Sequence, residues 1–136
     1  MVLLIVLFCG FFVAIPTIIL PTSQKLLRNN TNFKLLIGLS IVIIVFTIIS
    51  FNEFITDEVE ELAFIALSPL SFLILHRAVD KFWQKKFGRH IYFYKKYSDD
   101  KESKESTWKE FFVQILILII PFFWLIIGDY VVKYCR

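Results

Sequence analysis

Four apolar runs, separated by three clusters of charge, constrain this chain more than any other feature. The runs are Val2–Leu20, Leu35–Phe51, Leu62–Leu75 and Phe111–Ile127. A bilayer core of ~30 Å takes about 20 apolar residues of helix, and all four runs come near that length. The chain is 57% hydrophobic and only 20% charged, so little polar surface is left to clothe a soluble domain. The expected fold class is all-α: a polytopic membrane protein, a bundle of four transmembrane helices with a cytoplasmic amphipathic helix after the third. The spans are expected at about 2–20, 35–53, 59–78 and 109–128, the basic interfacial helix at about 78–88 and a polar cytoplasmic loop at about 98–106. The bias toward Phe, Ile, Leu and Lys suits a bacterium with an AT-rich genome, hence an inner membrane.

The third run sets the orientation. From His76 an apolar helix turns basic and aromatic, with Val79, Phe82, Trp83 and Phe87 at helical spacing and Arg77, Lys81, Lys85, Lys86 and Arg89 around them. Gly88 is a natural stop. Such a segment is expected to lie in the headgroup plane, with Arg77, Lys81, Phe82, Trp83, Lys85, Lys86 and Arg89 in contact with anionic lipid. At about 1 kcal/mol per base, seven bases against one acid between His76 and Tyr97 amount to several kcal/mol. The adjacent span favours lipid over nucleic acid as the partner.

The first connection holds Lys25, Arg28 and Lys34 and no acid, with Thr31 or Asn32 expected to cap the next helix. The second holds Glu53, Asp57, Glu58, Glu60 and Glu61 and no base. The positive-inside rule therefore places the first and third connections in the cytoplasm and both termini outside. No Lys or Arg precedes the first run, and Cys9 follows Phe8 rather than the small residue of a lipoprotein cleavage site, so the run is expected to be retained rather than removed as a signal peptide. Pro16, Pro69 and Pro121 are each expected to bend a span. Thr107 and Glu110 read as a capping box opening the last helix, with Trp108 at the interface.

Polar residues inside the runs are sparse. Ser40, Thr47, Ser50, Ser68, Ser71 and Gln114 are expected to face other helices, where hydroxyls and amides allow close approach and hydrogen bonding. No acid, base or histidine lies deep in a run, which counts against a coupled transporter. The chain lacks the embedded glutamate of small multidrug exporters, the glycine motifs of fluoride channels and the cysteine pairs of quinone-linked disulfide oxidoreductases. Cys9 and Cys135 have no metal or redox spacing, and no cofactor is expected. His76 and Asp80, four apart, are the nearest approach to a catalytic pair; a local ion pair of Arg77 with Asp80 is the plainer expectation, and His90 stands alone. The expected function is non-enzymatic: a small membrane subunit, accessory or immunity-type, acting by helix–helix contact and by its basic segment, with a membrane-protein partner or as a homo-oligomer. A homo-oligomeric pore and a lipid-headgroup enzyme are the competing readings.

Overall fold

The computed structural model describes residues 2–15, 23–51, 63–92 and 107–134, and every regular element among them is a helix. These are α1 (Val2–Ala14), α2 (Gln24–Arg28), α3 (Asn30–Phe51), α4 (Ser68–Phe87), α5 (Trp108–Ile119) and α6 (Phe123–Tyr134). A 3-10 turn at Phe64–Leu67 leads into α4, and another at Ile120–Phe122 joins α5 to α6. Pro16, the five acids of the second connection, Phe93–Tyr97, the loop at 98–106 and Cys135 lie outside the described residues.

Two helices are long and apolar enough to cross a membrane: Asn30–Ser50, and Trp108–Tyr134 taken through Pro121. At 1.5 Å per residue they run roughly 32 Å and 40 Å, enough for a bilayer core. Only 11% and 22% of their most apolar stretches are buried, whereas the core helix of a soluble protein would be mostly covered. Val42 and Phe112, for example, are 63% and 62% exposed. The described part of the first run, α1, is 13 residues long, and at roughly 20 Å is short of a full crossing.

The third run passes into the basic segment without a break. Ser68–Phe87 is one unbroken helix. Nothing between His76 and Phe87 interrupts the backbone ladder, since no Pro or Gly occurs there, and the buried stripe of Phe72, Leu73, His76, Asp80 and Trp83 continues through the junction. Pro69 does not kink this helix from within. It sits in the first turn, where its missing N–H would have had no helical acceptor anyway, and the 3-10 turn precedes it. Pro121 interrupts the last run, where the ladder tightens locally to 3-10 geometry.

Helix α4 is the centre of the packing, touching α1, α2, α3 and α5. Its Phe72, Leu73 and Trp83 form the core with Val13, Leu27, Ile91 and Ile117. The contacts run antiparallel. Arg77, midway along α4, lies over Phe33 at the start of α3, while Thr47, late in α3, borders the same cavity as Ala66, ahead of α4. On the other side the start of α4 meets the middle of the last run: Ser68 Oγ donates to Pro121 O at 2.8 Å. One end of the bundle therefore gathers the start of α3, the end of α4 and the start of α5.

Candidate functional site

The side-chain polar bonds between distant parts of the chain concentrate at that end. Gly88 initiates it. Its φ of 69° is left-handed, and its N–H donates to Gln84 O at 2.9 Å, closing α4. Residues 89–92 then turn back, and Ile91 and Tyr92 are almost fully buried. Both apolar side chains gain more by entering the core than they would by lying along a surface.

A buried non-helical segment has backbone groups to satisfy, and side chains from three helices do so. Arg28 Nη2 of α2 donates to Ile91 O at 3.1 Å. Asp80 Oδ1 of α4 accepts from Ile91 N at 3.1 Å, and Asp80 Oδ2 lies 2.8 Å from His90 Nδ1. Gln114 Nε2 of α5 donates to Tyr92 O at 2.8 Å. Arg89 forms a two-pronged pair with Glu110, Nη1 to Oε1 at 2.7 Å and Nη2 to Oε2 at 3.0 Å. Glu110 also accepts from Thr107 N at 2.6 Å, completing the capping box of α5. One buried carboxylate therefore both starts a helix and holds the returning chain.

Arg77 works at the same end in another direction. Its guanidinium donates to Leu27 O and Arg28 O, both at 3.2 Å, and to Asn30 Oδ1. Leu27 and Arg28 are the last residues of α2, so Arg77 supplies partners for carbonyls that a helix C-terminus leaves open. The neighbouring start of α3 is capped by Asn29, whose Oδ1 accepts from Thr31 N at 2.9 Å, rather than by Thr31 or Asn32.

The residues singled out from sequence divide accordingly. Lys81, Phe82, Lys85 and Lys86 are exposed on α4, Arg77 and Arg89 are committed to partners, and Trp83 is buried. Asp80 engages His90 and Ile91, because Gly88 brings the chain back over it. His76 is buried beside Phe72, with ring centroids 5.9 Å apart. Ser68 reaches another helix, and Ser71 accepts from Trp124 Nε1 at 3.1 Å while donating to Leu67 O at 2.8 Å. Ser40 and Thr47 are buried but donate to their own helix, to Leu36 O at 2.9 Å and Ile43 O at 2.7 Å. Ser50 is half-buried.

No protein-family model, curated protein or solved structure matches this chain. Its chemistry has to be read from the geometry alone. Both oxygens of Asp80 and both of Glu110 are engaged, and no group of three His, Cys, Asp or Glu side chains placed to hold a metal ion occurs among the described residues.

The indole N–H of Trp83 is buried with no hydrogen-bond partner among the described residues, an arrangement that costs about 1–3 kcal/mol. Arg28, His90 and the double duty of Glu110 were not anticipated from sequence. The one available signal is a glycine stop followed at once by Arg-His and an apolar pair, a pattern that a chain reversal explains and a continuing surface helix does not.

Proposed function

We propose that this chain is a non-enzymatic integral membrane protein of the inner membrane, a subunit that binds its partner through apolar helix faces and presents a rigid basic surface at the cytoplasmic side. In this reading the four runs cross the bilayer, both termini lie outside, and the polar end faces the cytoplasm. The partner is another membrane protein, as for an accessory or immunity-type subunit.

The observation that carries the reading is the contrast in burial. The faces of α3 and of α5–α6 remain largely apolar and exposed, while the polar end closes on itself. Apolar faces of this extent call for lipid or partner helices around them. The engagement of Asp80 by His90 and Ile91 supports a structural over a catalytic use of that carboxylate. Likewise, Ser40 and Thr47 are buried and bonded to their own helix, which favours packing over a water-lined pore.

The test is the native complex, extracted from its host in mild detergent and identified by mass spectrometry. A defined foreign membrane protein at fixed stoichiometry is the expected result. A homo-oligomer alone would replace the subunit reading with the pore, and liposome conductance would follow. Topology is checked separately in a background lacking Cys9 and Cys135. Lys85→Cys should react with an impermeant thiol reagent only from the cytoplasmic side, and Glu58→Cys only from outside.

A further inference from the structure

Beside the Arg89–Glu110 pair, a cavity of about 370 Å³ opens between the end of α4 and the start of α5. It is lined by Trp83, Phe87, Arg89, Thr107, Trp108 and Lys109. We propose that this cavity binds one phosphate ester at headgroup depth, the phosphate of an anionic membrane lipid. The proposal rests on the membrane reading above but adds a defined site to it.

Three observations carry it. The first is the lining, which joins aromatic walls from Trp83, Phe87 and Trp108 to cationic groups from Arg89 and Lys109. Arg89 is balanced by Glu110, so Lys109 leaves the lining, among the described residues, with a net positive character. An amphiphile with an anionic head and an apolar body complements such a lining; a neutral apolar ligand would leave the cations unused.

The second is the Trp83 indole N–H, a buried donor in that wall with no partner among the described residues. An incoming phosphate oxygen would supply the missing acceptor, and hydrogen bonds to a charged acceptor are stronger than neutral ones. The third is depth. Trp108 opens α5 and the apolar run begins at Phe111, within about one helical turn, so the cavity sits where headgroups meet acyl chains.

The experiment uses the full chain, reconstituted in nanodiscs of phosphatidylcholine and phosphatidylglycerol in equal parts, then released into mild detergent for native mass spectrometry. The wild type should retain one phosphatidylglycerol, in preference to phosphatidylcholine by about tenfold. Lys109→Gln should lose that preference and Trp83→Phe should retain less of either lipid, whereas Lys85→Gln, which removes the same charge from an exposed position outside the cavity, should behave as wild type. Equal loss in all three variants, or in none, would overturn the site in favour of a diffuse basic surface or of no selectivity. Trp83→Phe keeps an aromatic ring in the wall but is smaller than the indole, so the thermal transition of each variant is measured to show that it remains folded.

A second arm adds inorganic phosphate or glycerol 3-phosphate at millimolar concentration. Retention of the lipid supports a membrane source. Its displacement, with the same variants weakening the soluble ligand, would overturn the lipid source and make the ligand a soluble phosphate. Resistance of the wild type to alkaline carbonate extraction is measured alongside. A chain that extracts as a peripheral protein contradicts the membrane reading itself, which failure of the cavity alone does not.

Discussion

The polar end of the bundle and its apolar middle use hydrogen bonds in opposite ways. At the polar end, Asp80, Arg28, Gln114 and the Arg89–Glu110 pair join residues that are 10 to 63 positions apart in the chain. In the middle, Ser40 and Thr47 bond the carbonyls four residues back on their own helix. The first kind of bond specifies which segments meet. The second only makes a hydroxyl tolerable in an apolar setting, leaving packing to decide what lies opposite. Ser68 and Ser71 are exceptions within the apolar half: Ser68 donates to Pro121 O, a carbonyl at the 3-10 break of a different helix, and Ser71 accepts from Trp124 Nε1.

Substitutions can break or sharpen this contrast. The largest effect is expected for Glu110→Ala. It deletes a buried carboxylate that closes the α5 cap and pairs with Arg89, so a loss on the order of 3 kcal/mol is expected. Thermal unfolding of the full chain in detergent measures it, and a change under 1 kcal/mol would mean that the polar end is not a stabilising lock. Asp80→Asn comes next, at about 2 kcal/mol, since an amide retains one acceptor for Ile91 N but loses the charge facing His90. Its specific sign is exposure of the returning segment: a cysteine placed at Tyr92 should react with a thiol reagent faster in this variant.

Gly88→Ala is expected to cost about 1 kcal/mol. A Cβ there meets nothing within 4 Å, so the whole effect is backbone strain at positive φ. An unchanged transition would mean that the reversal does not depend on this conformation. Ser68→Ala and Ser40→Ala form the sharpest pair, because the same atom is removed from two buried serines. Ser68→Ala should lose about 1 kcal/mol, as the Pro121 carbonyl loses its donor, while Ser40→Ala should lie within about 0.5 kcal/mol of wild type. Equal losses would remove the distinction between the two kinds of bond.

Much of the helical architecture was legible in the residues. The stop at Gly88 and the Thr107–Glu110 capping box depend on local geometry, and both occur as expected. The membrane-length helices follow from runs of apolar residues, although among the described residues two, not four, have crossing length. The role of Pro69 was harder to read, since a proline in the first turn of a helix and one in its interior look alike until the helix start is known. The site was less legible still. Glu110 and Asp80 were visible as a cap and as half of a local pair, but Arg89 looked like a lipid-facing base at the end of the interfacial helix, and His90 like an isolated side chain.

By itself, the sequence determined where helices run, where α4 stops and how α5 begins, because periodicity, glycine conformation and capping act within a few residues. Only the tertiary structure decided that residues 89–92 fold back under Arg28, Asp80 and Gln114, that Arg77 caps α2, and that Trp83 and Lys109 border one cavity. Those partners lie far apart in the chain. Which of them meet depends on burying Ile91 and Tyr92 with their backbone groups satisfied, a condition set by the packed bundle and not by any local stretch.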